Sequence, residues 1–138
     1  MSAELDLSSF EAAISRFGEA LDALTRQPDQ PLFRDAVIKR FEFTYELSHK
    51  MLRRFLALAA ADPEEIRQMS FPNLIRTGNE QGLLLGNWET WSNWRKARGT
   101  TSHAYDEEKA QQVVGEIPKF LEEARYLLER LKHRIGRS

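Results

Sequence analysis

Residues 37–59 read VIKRFEFTYELSHKMLRRFLALA, and they carry two apolar stripes at helical spacing. A helix that is apolar on two sides must bury both, so this one lies either at the centre of its own bundle or between the bundle and a partner subunit. We favour the second arrangement, a homodimer. One stripe comprises Ile38, Phe41, Tyr45, Leu52, Phe55 and Ala59, and the other comprises Phe43, Leu47, Met51 and Leu58.

Helical patterns also fill the rest of the chain, without an alternating run typical of a strand. Prolines divide these patterns, because proline lacks a backbone N–H. Capping side chains, which accept the free N–H groups of a helix start, are predicted at Asp62, Ser70, Asn87 and Asp106. After Asp106 the apolar phase continues through Gly115 and Pro118, which predicts one kinked helix. We therefore predict an all-α fold, an antiparallel up-and-down bundle of four main helices with a short helical insertion. The predicted helices span about residues 8–26, 32–60, 63–69, 71–81 and 88–98, followed by the kinked helix from 107.

The composition fits a single cytoplasmic helical domain, residues 1–138. It is 41% hydrophobic and 30% charged, with 7 Gly and 5 Pro, which favours packed helices over disorder. The absence of cysteine excludes disulfides and thiolate metal sites, and no apolar run is long enough to cross a membrane. The first residues lack the features of a signal peptide. The net charge of -1 gives no general attraction for nucleic acid, so any contact with RNA must be local.

Reactive side chains are concentrated in the segment RGTTSHAY, which begins at Arg98. Arg98 offers a planar fork of donors for phosphate, and His103 is the residue type that exchanges protons near neutral pH. Ser102 and Tyr105 add hydroxyl groups beside them. If the helix continued through this segment, Arg98 and His103 would lie about 140° apart. We predict instead that Gly99 caps the helix in a left-handed conformation and that the turn folds His103 back toward Arg98.

These residue types suit cleavage of RNA without a metal. The ribose 2′-hydroxyl attacks the adjacent phosphate when a base, an acid and a cation are present. One chain offers a single histidine in this segment, whereas two segments brought together by a twofold axis offer two His and two Arg. The Arg-x4-His spacing alone is a weak signal. Its alternative is a structural Arg at a helix end with a capping or interface His.

Other polar and aromatic features have both a functional and a structural interpretation. Three tryptophans lie three residues apart on one helix face, where packing in the core or an interface is favoured over stacking on RNA bases. Glu46 and His49 have the Glu-x-x-His spacing of di-iron bundles, but the sequence lacks the further ligands of such a site, so we predict no metal and no cofactor. We expect His49 on the surface or at an interface. Glu42, Glu46 and Ser102 are candidate auxiliary groups of the site.

Together these motifs resemble the HEPN superfamily, and within it the group known both as nucleotidyltransferase substrate-binding proteins and as HepT-type toxins. The likeness covers most of the chain from the second helix onward. It rests on VIKRFEFTYEL at residues 37–47 with Lys50, on Gly82-Leu83 and Trp88, and on Arg98-x4-His103-x-Tyr105-Asp106.

The resemblance implies an all-helical homodimer with a composite cleft, encoded beside a small MNT-type nucleotidyltransferase. In toxin–antitoxin members the Arg and His form a metal-independent ribonuclease site, and the partner silences the toxin by transferring AMP to the Tyr. By position, Arg98 is the expected phosphate clamp, His103 the acid or base, and Tyr105 the AMP acceptor. The alternative is a catalytically silent subunit that presents substrate to the nucleotidyltransferase. One departure bears on this choice, since the family usually has a polar residue, most often Asn, after the Arg, and this chain has Gly99.

Overall fold

The computed structural model describes residues 5–136, and every regular element in this range is helical. This confirms the predicted all-α fold. No helix within residues 5–136 is long and apolar enough to cross a membrane. The elements are α1 (Ser8–Arg26), α2 (Pro31–Ala59), α3 (Pro63–Arg67), α4 (Phe71–Glu80), α5 (Trp88–Thr100), a 3-10 turn (Thr101–His103), α6 (Glu107–Glu116) and α7 (Phe120–Gly136).

Polar side chains cap the starts of α3, α4, α5 and α6, as the sequence predicts. The side-chain oxygen of Asp62, Ser70 or Asn87 accepts an N–H from the residue three positions later, at 3.4, 3.3 and 3.1 Å. Asp106 accepts two N–H groups at the start of α6. Each cap satisfies donors that have no partner inside the helix, so the helix starts are fixed locally.

Aromatic side chains form the centre of the bundle and join α5 to α2 and α7. The ring of Phe120 lies 5.5 Å from Trp91, 5.1 Å from Trp94 and 5.4 Å from Phe41, in each case edge-on. Trp91 is fully buried and Trp94 is 8% exposed. Core packing is therefore confirmed for these two tryptophans, and it anchors the helix that carries Arg98.

The last main helix is broken, so the predicted single kinked helix is wrong. α6 and α7 are separated at Pro118, which has no N–H to donate to a helical carbonyl. The N–H groups of residues 120–122 instead donate to carbonyls three residues earlier, at 3.0 to 3.2 Å. The apolar phase continues across the break because Ile117 and Phe120 are both fully buried.

The second apolar stripe of α2 is only partly left on the surface. Met51 is buried within the chain, whereas Phe43 is 59% and Leu58 is 49% exposed. These two exposed residues lie fifteen positions apart, about 22 Å along the helix. The outer face of α2 therefore has two separate apolar places rather than one continuous stripe.

Candidate functional site

Arg98, near the end of α5, is held by two glutamates of α2. Its Nη1 lies 3.1 Å from Oε2 of Glu42, and its Nε lies 3.2 Å from Oε1 of Glu46. The glutamates are four residues apart and share one face of the helix. The side chain of Arg98 is one third exposed. The two predicted auxiliary acids thus contact the predicted phosphate clamp.

Thr101 completes this arrangement from the 3-10 turn. Its hydroxyl accepts a hydrogen bond from Nη1 of Arg98 at 3.1 Å and donates one to the Arg98 carbonyl at 2.6 Å. It also lies 3.1 Å from Oε2 of Glu42. Thr101 was not predicted as a site residue. A hydroxyl three residues after an Arg, on the same side of a continuing helix, is the signal that would have found it.

These contacts leave one nitrogen of Arg98 available. Its Nη2 forms no hydrogen bond with any residue between 5 and 136, so its two donors are free to bind a phosphate oxygen. However, two carboxylates surround one guanidinium, and the local charge is negative. A polyanion therefore needs further cations close to Arg98 to bind here.

Glu46 extends the network inward to His49. The His49 Nε2 lies 3.3 Å from Glu46 Oε2, and its ring packs edge-on against Tyr45 at 5.3 Å and Phe71 at 5.4 Å. Burial lowers the pKa of His49, although Glu46 acts against the shift. Burial also raises the pKa of Tyr45 to about 12. His49 is thus only partly exposed, at 21% of its side chain, and it packs against Glu46 and two aromatic rings.

The predicted left-handed cap at Gly99 is also wrong. Gly82 is the residue with positive φ in the described range, at 75°, and Gly99 is part of α5. The hydroxyls of Thr101 and Ser102 donate to the carbonyls three residues earlier and satisfy the end of the helix without a left-handed residue. Ser102 is exposed, and its hydroxyl is engaged by Gly99 rather than by Arg98.

His103 consequently does not fold back toward Arg98. α5 winds directly into the 3-10 turn, which places His103 on roughly the opposite side of the helix axis. His103 is exposed, and its ring lies 6.2 Å from the ring of Tyr105. Among residues 5–136, no hydrogen bond or ion pair joins His103 to Arg98.

Tyr105 stands at the mouth of a cleft between the turn and α2. It is 86% exposed. The cleft has a volume of about 370 Å³, and its α2 side carries Lys39 and Glu42. A phenol so exposed is accessible to a second protein or to a nucleotide.

A buried carboxylate fixes the loop that leads into α5. Glu123 accepts the N–H groups of Leu85 and Gly86, both at 2.8 Å. Burial raises the pKa of Glu123, and the two N–H bonds oppose that shift. A Cβ at Gly86 would lie 2.9 Å from Thr90 and 3.0 Å from Glu123 Oε1, so only glycine fits there. This contact was not predicted, and it positions α5, the helix that carries Arg98.

No group of three or more His, Asp or Glu side chains in residues 5–136 is arranged to hold a metal ion. Glu46 and His49 do adopt the side-by-side arrangement that their spacing allows, but their partners are Arg98 and two aromatic rings. Arg98 thus supplies a positive charge in a fixed position, and Glu46 and His49 supply side chains that can transfer protons.

A family model described as "Nucleotidyltransferase substrate binding protein like" matches residues 5–133. The chain belongs to this family. A relative named "Probable ribonuclease HepT", from Haemophilus influenzae, is 41% identical over 97 residues. These residues are 70% of this chain and 66% of the relative, so the match spans just under two thirds of the relative's length. A solved structure from the same species, described as the fold of a substrate binding domain of a nucleotidyltransferase, matches with a TM-score of 0.85 at 33% identity. It covers 92% of this chain and 99% of that one.

Membership of the nucleotidyltransferase substrate-binding family confirms the resemblance that the motifs predict. The match extends from before α1 nearly to the end of α7, so it includes Arg98, His103 and Tyr105. The roles of these three residues stay predictions.

Proposed function

We propose that this chain is the HEPN-type subunit of a two-protein toxin–antitoxin module and that it cleaves RNA in the cytoplasm without a metal. The observation that carries the proposal is the position of Arg98, whose Nε and Nη1 are fixed by Glu42 and Glu46 while Nη2 stays free. A guanidinium oriented in this way is prepared to bind one phosphate oxygen. We treat residues 1–138 as one functional domain.

The reaction needs a proton acceptor, a proton donor and a cation. The ribose 2′-oxygen attacks the adjacent phosphorus and gives its proton to a base, and the bond from phosphorus to the 5′-oxygen breaks as an acid protonates that oxygen. The products are a 2′,3′-cyclic phosphate and a 5′-hydroxyl end. Arg98 stabilises the charge on the phosphorane, and His103 transfers the protons.

A homodimer supplies what one chain lacks. Because Arg98 and His103 lie on opposite sides of the helix end, we propose that Arg98 of one subunit works with His103 of the other. Leu32 is 72% and Phe43 is 59% exposed on the half of α2 that borders the Tyr105 cleft. Burial of these side chains between subunits would bring the two turns together.

Tyr105 is the proposed site of control. A partner nucleotidyltransferase of the MNT type would transfer AMP from ATP to the phenol oxygen, releasing pyrophosphate and the phenol proton. The high exposure of Tyr105 supports this role. An anionic adduct at the cleft would exclude RNA by its size and by its charge.

The second candidate is a catalytically silent subunit that presents substrate to the nucleotidyltransferase. The presence of Gly99, which offers no side chain after Arg98, and the two carboxylates around Arg98 favour it.

The two candidates are separated by incubating the purified chain with RNA in EDTA. The variants Arg98→Ala and His103→Ala are assayed beside it. We expect cleavage by the wild type and a loss of at least about a hundredfold in each variant, because each removes a group acting on the transition state. Equal residual cleavage in all three proteins would reject the ribonuclease and favour the silent subunit.

A further inference from the structure

A basic groove lies beside the site, along the second half of α2. Its volume is about 750 Å³. We define it by its four cations and its apolar floor: Lys50, Arg53, Arg54 and Arg67 with Leu58 and Phe71.

The positive charge of the basic groove is mostly unneutralised. Lys50 and Arg54 are exposed, and neither forms an ion pair with a residue between 5 and 136. Arg53 is fixed by the carbonyls of Ile66 at 2.8 Å and Met69 at 2.8 Å, which orient its guanidinium but carry no full charge. In a chain of net charge -1, these cations form a local positive surface.

Two acidic residues, Glu64 and Asp6, reduce the positive charge of the basic groove. Arg67 pairs with Glu64 at 3.1 Å on the surface, where such a pair contributes little and opens easily. Asp6, which also lines the groove, accepts both the N–H and the hydroxyl of Ser8 at the start of α1. The remaining charge is positive, because Lys50, Arg53 and Arg54 outnumber Asp6.

The basic groove continues directly from the Arg98 network. Glu46, Lys50 and Arg53 lie on one face of α2, and the rise of the helix puts Lys50 about 6 Å and Arg54 about 12 Å beyond Glu46. His49 stands at the junction, between Glu46 on one side and Lys50 and Arg53 on the other. A chain of phosphates that begins at Arg98 would therefore meet cations at regular steps.

The floor of the groove suits nucleobases. Phe71 is half-buried, and the guanidinium of Arg95 lies over its ring with 5.1 Å to the centroid, so a cation from α5 borders the same place. Leu58, 49% exposed, adds an apolar surface on α2. Cations that follow the backbone, together with apolar and aromatic surfaces for the bases, are the general pattern of single-strand binding.

We propose that the basic groove binds the single-stranded RNA that flanks the scissile phosphate. This inference rests on the proposed ribonuclease function. Glu42 and Glu46 together leave a net negative charge around Arg98. Lys50 and Arg54 supply positive charge close by that offsets it.

The test measures binding of a labelled oligouridine to a His103→Ala chain by fluorescence anisotropy over a series of salt concentrations. Lys50→Ala with Arg54→Ala, added to this chain, should weaken binding by about tenfold or more at low salt. It should also reduce the slope of log affinity against log salt by about 1.4, for two lost phosphate contacts on a single strand. The matched control is Arg26→Ala with Arg125→Ala, which removes the same charge from exposed positions on α1 and α7. The control should change affinity by less than about twofold.

Equal weakening by both pairs would overturn the inference, since it would show only a general charge effect, and so would unchanged binding. The inference would also be overturned if the Lys50→Ala, Arg54→Ala protein bound RNA normally but no longer bound the nucleotidyltransferase. That result would make the groove a docking surface for an acidic protein. Cleavage by otherwise wild-type protein is assayed separately. If the protein cleaves RNA and the Lys50→Ala, Arg54→Ala substitutions change neither binding nor cleavage, only the role of the groove is rejected. If these substitutions weaken RNA binding but the wild type does not cleave RNA, only the ribonuclease activity is rejected.

Discussion

Replacing Glu123 by Gln should lower the free energy of unfolding by about 2 kcal/mol. Glu123 is 2% exposed, and its two oxygens accept the N–H groups of Leu85 and Gly86 at 2.8 Å. A hydrogen bond to a charged group contributes about 1.5–3 kcal/mol, and Gln keeps only one acceptor. Its amide NH₂ would face a backbone N–H, which leaves that donor unsatisfied. The removal of a buried charge offsets part of this loss, which gives the net value of about 2 kcal/mol.

The measurement is urea unfolding at neutral pH, followed by circular dichroism, with the slope of free energy against urea compared between variants. Glu122→Gln is the matched control, because Glu122 is the exposed neighbour of Glu123 and should change stability by less than about 0.5 kcal/mol. If Glu123→Gln is no more destabilising than the control, Glu123 does not hold the loop before α5, and this explanation of the position of α5 fails.

Four further substitutions test other parts of the molecule. Gly99→Ala should raise the free energy of unfolding by about 0.5–1 kcal/mol, because Gly99 is helical and a Cβ there meets nothing within 4 Å; a loss of stability would contradict the helical assignment. Gly82→Ala should lower it by about 1–2 kcal/mol, because φ is 75°, and an unchanged urea midpoint would speak against that backbone conformation. His49→Gln should flatten the dependence of the free energy of unfolding on pH. The pKa of His49 is lowered in the folded chain, so the unfolded chain binds more protons and wild-type stability falls as the pH drops through about 6.5. If the urea midpoint of the variant depends on pH as that of the wild type does, the lowered pKa of His49 is refuted. Phe43→Glu should shift the protein toward a monomer of 16.0 kDa in light scattering, and an intact dimer would place the interface elsewhere.

The parts of the fold that were predicted correctly depend on local signals. Asp62, Ser70 and Asn87 cap helices through contacts within three residues, and the apolar periods of α1 and α2 mark the buried faces. The unbroken apolar phase across Pro118 predicts one kinked helix. The phase does continue, but the missing N–H still ends the helix, because a buried stripe needs regular spacing of side chains and not an unbroken ladder of hydrogen bonds.

The details of the candidate site depend on contacts between distant residues, which a single sequence does not reveal. Thr101 and Glu42 are 59 positions apart, and Glu123 reaches Leu85 across 38 positions. The sequence identifies Arg98 and offers Glu42 and Glu46 as auxiliary groups, but it does not show that these two carboxylates hold the guanidinium. The prediction for Gly99 was wrong because the intrinsic preference of glycine is only about 1 kcal/mol, and nearby hydroxyl-to-carbonyl bonds are enough to extend the helix.

In the proposed ribonuclease, Arg98 of one subunit works with His103 of the other. The most direct measurement mixes Arg98→Ala and His103→Ala proteins, allows subunits to exchange, and follows RNA cleavage in EDTA. Mixed dimers then contain one intact Arg98 and one intact His103 on different chains, so cleavage should rise at least about tenfold above either variant alone. If light scattering shows that mixed dimers form, and cleavage stays at the sum of the two variants, the shared site is contradicted.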